Sequence, residues 1–170
     1  MLDLRADNCR QQAARARHNL RARPPRRRDP DRERQLGDAF FQALREGDLE
    51  ALEQLLQQDV VLRSDGGGKV AAVPYPLEGR DAVVRFFDRL FVRTKLLANT
   101  RIVSSWHNGA PGHLVCGQNG IESAFQFVCS GDRIANVLIQ RNPDKLRRLQ
   151  GTVREFEYRR AHEEGDAGRR

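Results

Sequence analysis

Hydrophobic residues recur every three or four positions in three stretches of the chain, and this spacing places them on one face of a helix. The first two stretches, 36–44 and 49–56, are separated by Gly47-Asp48. Aspartate is a good N-cap, so a second helix is expected to begin after it. The third stretch covers 83–91. The pattern therefore predicts three helices.

Later in the chain the hydrophobic period changes to two, which is typical of strands. Residues 100–107 alternate in this way, and turn residues separate them from three more runs of strand character, 113–118, 121–130 and 133–141. A short β-branched run, 59–65, precedes the third helix. Helices are thus segregated from strands, which predicts an α+β fold with a curved antiparallel sheet wrapped around three helices.

The start of the chain differs from the rest. Apolar residues at 9, 13, 16 and 20 form one narrow helical stripe, and Pro24-Pro25 with the polar segment after it interrupts that pattern. We therefore divide the chain into four parts, which are a first helix (1–22), a linker (23–34), a folded domain (35–149) and a charged tail (150–170).

The net charge of +7 is concentrated at this start. Residues 1–34 contain eleven arginines and five acidic residues, whereas the rest of the chain is nearly neutral. A one-signed excess indicates a polyanionic partner, although a solvated helix face is the alternative. We predict weak, salt-dependent and mostly sequence-independent binding to DNA through Arg10, Arg15, Arg17 and Arg21.

Three widely spaced cysteines without a CxxC motif argue against a disulfide framework and a structural zinc site. We predict neither a metal nor a cofactor. No apolar run approaches the roughly 18 residues that span a membrane, and no apolar segment follows the arginine-rich start as in a signal peptide. These features are typical of a soluble cytoplasmic protein without a membrane partner.

A glycine-rich loop follows the short β-branched run, with the sequence Asp65-Gly66-Gly67-Gly68-Lys69. Backbone N–H groups and a lysine can cradle phosphate, but Arg63 stands where a P-loop requires its first glycine. Val70 stands where a serine or threonine would hold magnesium. From the residues alone, a tight turn is the interpretation that remains.

Several segments together resemble the C-terminal SnoaL-like domain of one group of extracytoplasmic-function sigma factors. The resemblance runs from about Gln35 to Leu149 and includes GDLEALEQLL, LEGRDAVVRFF and VSSWHNGAPG. Its two most specific motifs are the glycine loop and the segment Asn142-Pro143-Asp144-Lys145-Leu146.

Upstream of this domain, ADNCRQQAARARHNL is similar to the recognition helix of the helix-turn-helix in these sigma factors. Met1 lies near the start of that helix. We therefore expect a shortened sigma factor that retains a remnant of its DNA-binding helix. Leu4-Arg5-Ala6 replaces the usual entry to the helix, which weakens the expectation of promoter contact.

The resemblance implies a SnoaL-like, nuclear transport factor 2-like cone with a role in transcription initiation. In this family the domain packs against the sigma domains and modulates their engagement of core RNA polymerase and promoter DNA. Both specific motifs are then expected in one regulatory surface, where Lys69 approaches Asp144 or Asp65 approaches Lys145. A homodimer through the sheet is a further expected contact.

The same cone also suits a small-molecule-binding protein or an isomerase-like or cyclase-like enzyme, since fold alone does not decide function. We expect Trp106 in the core or a pocket wall, and His107 either as an exposed turn residue or as a base. His107, His113 and Cys116 lack a fourth ligand for zinc. No spacing is diagnostic of chemistry, so a regulator is expected in preference to an enzyme. The candidate pocket residues are Asp65, Tyr75, Trp106, His107, Asn136 and Arg141.

Overall fold

The computed structural model describes residues 29–93 and 95–151. Helix α1 (Pro30–Glu46) begins at Asp29, whose side chain accepts a hydrogen bond from the Arg32 N–H at 3.1 Å. Helix α2 (Leu49–Leu55) begins at Asp48, whose side chain accepts from the Ala51 N–H at 2.8 Å. The predicted N-cap is therefore confirmed.

Helix α1 starts inside the segment predicted as a linker, so that prediction is wrong for residues 30–34. Proline breaks a helix in its interior, but in the first turn its missing N–H costs nothing and its fixed φ suits the helix. Pro30 occupies this favourable position, and Glu33 is already buried. The predicted first helix, the earlier part of the linker and most of the charged tail lie outside the described residues.

The remaining elements form one sheet and two further helices. In chain order they are β1 (Leu56–Asp65), β2 (Leu77–Glu78), α3 (Arg80–Phe87), β3 (Arg101–His107), β4 (Ala110–Gly117), β5 (Gly120–Ser130), β6 (Arg133–Gln140) and α4 (Pro143–Leu146). The six strands form one sheet with the order β2-β1-β6-β5-β4-β3. Helix α3 continues directly into a π-helical turn at Asp88–Val92, and helix α4 continues into a 3-10 turn at Arg147–Leu149.

The sheet is mixed, because β1 and β6 run parallel while the other neighbours run antiparallel. The prediction of a purely antiparallel sheet is wrong at this pair. The meander starts at the far edge with β3, and its last strand, β6, arrives beside β1 in the same direction. Parallel pairing brings the carboxyl ends of both strands to one edge, where Asp65 pairs with Gln140.

Opposite faces of the sheet carry two separate hydrophobic clusters. The inner face packs against the helices through a group of phenylalanine rings, in which the Phe40 centroid lies 4.9 Å from that of Phe87. The outer face carries a smaller cluster around Leu114 and Ala124, on which Leu146 of α4 packs. Among the described residues no helix is long and apolar enough to cross a membrane.

Candidate functional site

The glycine loop, residues 65–69, turns sharply at the end of β1. The Asp65 carboxylate accepts a hydrogen bond from the Gly67 N–H at 2.8 Å. Gly67 and Gly68 have φ values of 61° and 70°, in the left-handed region that other residues avoid. A Cβ at Gly67 would lie 2.2 Å from Asn142 Nδ2, so glycine also allows the two segments to approach each other.

Helix α4 forms the other side of this contact. Asn142 is its N-cap, with a side-chain oxygen that accepts from the Asp144 N–H at 3.0 Å. Pro143 occupies the first turn, which favours this short helix. Leu146 is buried in the outer cluster and fixes the helix to the sheet.

Two ion pairs join the glycine loop to α4. Lys145 Nζ lies 2.7 Å from Asp65 Oδ2, and the Lys69 ammonium contacts the Asp144 carboxylate. All four side chains are about half exposed. The expected proximity of the glycine loop to residues 142–146 is confirmed. The pairings of Lys69 with Asp144 and of Asp65 with Lys145, expected as alternatives, occur together. We call residues 65–69 and 142–146 the loop–helix surface.

Hydrogen bonds lower the pKa of both carboxylates on this surface. The pKa of Asp65 falls from 3.8 to about 2, first because Lys145 donates to it and then because Gln140 and the Gly67 N–H also do. The pKa of Asp144 is lowered mainly by the hydrogen bond from Lys69. Both groups are ionised at neutral pH, whereas a general acid or base works best with a pKa near the working pH.

The six candidate pocket residues do not all converge on one site, although Asp65 and His107 line the same cleft. Tyr75 is 79% exposed and Trp106 is 58% exposed, so the prediction that Trp106 lies in the core or a pocket wall is wrong. His107 is only 7% exposed, which rules out an exposed turn residue. Asn136 accepts a hydrogen bond from Arg63 at 3.2 Å.

His107 and His113 are buried histidines of the sheet. His107 Nδ1 lies 3.0 Å from Ser105 Oγ, and burial, followed by the charge of His113, lowers its pKa. His113 Nε2 lies 2.7 Å from Asp38 Oδ1, and burial lowers its pKa although Asp38 opposes the shift. Both lowered pKa values favour the neutral form of these rings at neutral pH. Within 29–93 and 95–151, no cluster of three or more potential ligands can hold a metal ion.

Two cavities lie on opposite faces of the sheet. An outer cleft of about 510 Å³ is lined by two of the candidate pocket residues, Asp65 and His107, together with Lys145 and others. An interior cavity of about 320 Å³ lies between α3 and the sheet, and Arg141 lines it. Because His107 and Arg141 belong to different cavities, the single pocket that the sequence suggested is not formed.

The SnoaL-like domain family matches residues 38–113. No curated protein matches the chain. The extracytoplasmic-function sigma factor SigJ of Mycobacterium tuberculosis is similar in structure, with 25% identity, a TM-score of 0.60, and coverage of 81% of this chain and 49% of that one. The chain therefore spans about half the length of that sigma factor.

Two further solved structures resemble this chain. A de novo designed protein with a curved β-sheet has 17% identity and a TM-score of 0.50, covering 73% of this chain and 96% of that one. A SnoaL-like protein of unknown function from Burkholderia thailandensis has 14% identity and a TM-score of 0.49, covering 65% and 94%. The fold is SnoaL-like, with a curved mixed sheet, and the predicted fold class is confirmed.

Proposed function

We propose that this chain regulates transcription as the SnoaL-like part of a sigma factor, and that the loop–helix surface contacts the sigma domains. The two ion pairs between the glycine loop and α4 carry this proposal, because they hold four half-exposed charges in one fixed arrangement. Similarity to a sigma factor over 81% of the chain supports the assignment.

The loop–helix surface has the physical properties of a docking site. A Cβ at Gly68 would meet no atom within 4 Å, so a partner backbone can approach the loop closely at this residue. The paired charges are preorganised by α4, which Leu146 anchors to the sheet. Fixed charges of both signs favour a partner with the complementary pattern and disfavour others.

The partners that we propose are the sigma domains and, through them, core RNA polymerase. We also propose weak binding to DNA through Arg10, Arg15, Arg17 and Arg21. These arginines would neutralise DNA phosphates, so the affinity should decrease as the salt concentration is raised. A homodimer through the sheet is a separate proposal. Part of the outer face is not free for such a contact, because Leu146 of α4 packs on it.

An enzyme built on the same fold has less support. Its strongest candidate base, His107, is buried and bonded to Ser105, and its strongest candidate acid, Asp65, is held ionised by Lys145. The pKa values of Asp65 and His107 are both lowered, away from neutral pH. A general acid or base works best with a pKa near the working pH. The arrangement favours charge recognition.

The test compares lysines inside and outside the loop–helix surface. Lys69→Ala and Lys145→Ala are expected to weaken binding to purified sigma domains and core polymerase by roughly tenfold, as loss of an interfacial charge contact does. Lys95→Ala removes an exposed lysine elsewhere and should leave binding unchanged. Equal binding by all three variants, or loss of folding in the first two, would contradict the proposal.

A further inference from the structure

The outer cleft crosses three strands on the outer face of the sheet. Arg63 on β1 pairs with Leu138 on β6, and Leu138 pairs with Gln126 on β5. Paired residues of neighbouring strands share a face, so these three side chains form one row across the cleft. Leu149, which follows α4, also lines it. The volume of about 510 Å³ lies within the range of small-molecule sites, which is roughly 300 to 1,000 Å³.

The cleft is positively charged on a domain that has no net charge. The described residues include sixteen basic and sixteen acidic side chains. In the lining of the cleft, three basic residues stand against one acidic residue, Asp65. Lys145 Nζ lies 2.7 Å from the Asp65 carboxylate, so these two charges offset each other. The charges of Arg63 and Arg148 remain.

Both of these arginines can bind a ligand. Arg63 and Arg148 are exposed, and within the described part of the chain neither pairs with a carboxylate. Arg63 donates to the Asn136 amide oxygen at 3.2 Å, which leaves further N–H groups for a ligand. Guanidinium groups suit phosphate oxygens, and a phosphate monoester carries a charge of about −1.5 to −2 at pH 7. The two remaining charges therefore match one phosphate group.

The rest of the lining suits a flat ring with polar edges. Leu138 is half-buried in the row across the cleft, and Leu149 is half-buried beside it. Gln126 Nε2 donates to the His107 carbonyl at 2.7 Å, which holds the side chain in place and leaves its amide oxygen as an acceptor. Asn108 adds a second amide to the lining. Apolar side chains on the face of a base and amides at its edge are how proteins hold single nucleobases.

We propose that the outer cleft binds a nucleoside monophosphate, with the phosphate held by Arg63 and Arg148. The base packs on Leu138, and its edge bonds to Asn108 and Gln126. This site is distinct from the glycine loop, whose sequence lacks the P-loop pattern. Binding in the outer cleft does not depend on the proposed function.

The binding test compares AMP with adenosine by titration calorimetry of the full chain. AMP is expected to bind about tenfold more tightly, because only AMP has the phosphate that the two arginines contact. Inorganic phosphate should bind about tenfold more weakly than AMP, because it has no base. Equal affinity for AMP and adenosine would overturn the phosphate site. Phosphate that binds as tightly as AMP would overturn the assignment of a nucleotide.

The arginines are tested with a control of equal charge. Arg63→Met and Arg148→Met should each remove most of the preference for AMP while the affinity for adenosine stays the same. Arg133→Met also removes one positive charge, at an exposed position of β6 outside the cleft lining, and should retain the preference. An equal loss in all three variants would indicate a general charge effect and overturn the site.

The location of binding is tested by filling the cleft. Leu138→Trp places a large ring in the row across the cleft and should abolish binding of AMP. Val128→Trp is the matched control, because Val128 lies two residues from Gln126 on the same face of β5 but outside the cleft lining. Unchanged affinity in a folded Leu138→Trp variant would overturn the site.

Methyl NMR of the unaltered chain gives the location even if Leu138→Trp does not fold. AMP should shift the methyl signals of Leu138 and Leu149, which line the outer cleft. The methyl signals of Val115, which lines the interior cavity on the opposite face, should stay unchanged. Shifts at Val115 without shifts at the two leucines would place AMP in the interior cavity and overturn the proposal.

Discussion

The two faces of the sheet have different roles. The inner face buries large aromatic side chains against the helices, including Phe40 and Phe87, which are fully buried. The outer face buries a small cluster under α4 and leaves the charged groups of the loop–helix surface half exposed. The difference indicates that folding stability depends mainly on the inner face, so residues of the outer face can change without loss of the fold.

Truncation of an inner-face ring is expected to have the largest effect on stability. Phe40→Ala should lower the free energy of unfolding by about 3–5 kcal/mol, because Phe40 is fully buried and contacts Phe41, Phe87 and Phe127. Trp106→Ala is the aromatic control at an exposed position and should cost roughly 0.5 kcal/mol or less. Denaturant unfolding measures both, and equal losses would contradict the assignment of stability to the inner face.

A smaller loss is expected where α1 crosses His113. Gly37→Ala normally favours a helix, but here the new Cβ would lie 2.3 Å from His113 Cε1 and 2.9 Å from Phe127. We expect overpacking to dominate, with a net loss of about 1–3 kcal/mol. Gln42→Ala on the exposed side of α1 should stay within roughly 0.5 kcal/mol. A stabilised Gly37→Ala variant would show that the helix has room at this point.

The spacing of hydrophobic residues predicted the helices and strands that bury only one face. Helix α1 has buried Phe40 and Leu44 on the predicted face, and the meander appears at the predicted positions. The errors concern residues whose effect depends on context. Pro30 starts a helix where proline was taken to interrupt one. Trp106 is exposed, although a large aromatic side chain was expected in the core or a pocket wall. The parallel β1–β6 pair depends on chain topology, which local patterns do not contain.

The site was predicted only in part. The approach of Lys69 to Asp144 spans 75 residues of sequence, and only the family resemblance suggested it. The bond between His113 and Asp38 was missed, because the predicted apolar face contained no sign of a polar partner. The available signal was Gly37, since a glycine within a helix indicates close approach of another group.

Acidification should destabilise the inner face through His113. Its folded-state pKa lies below the ordinary 6.5 because burial disfavours the charged form. The contribution of the neutral His113 ring to the free energy of unfolding is therefore fully present above about pH 6.5. This contribution is lost as the pH falls through the lowered pKa of the folded state. His113→Gln should flatten this dependence of the unfolding free energy, even if it lowers stability throughout. His107 has a lowered pKa as well, so His107→Gln in parallel separates the two contributions.

The smallest effect on stability is expected at Asp65 on the outer face. Its pKa of about 2 depends first on the hydrogen bond from Lys145, so Lys145→Met should raise that pKa towards 3.8. The folded-state pKa is lowered, so the stability it provides is present above about pH 4 and is lost as pH falls towards 2.

At neutral pH the melting temperature of Lys145→Met should barely change, because half-exposed ion pairs are screened by solvent. Carbon NMR of the Asp65 carboxyl group measures the titration directly. Lys69→Met is the matched control, because Lys69 pairs with Asp144 and should leave the pKa of Asp65 near 2. An unchanged titration in Lys145→Met would mean that Gln140 and the Gly67 N–H alone hold the carboxylate, and α4 would then be less firmly joined to the glycine loop than the ion pair indicates.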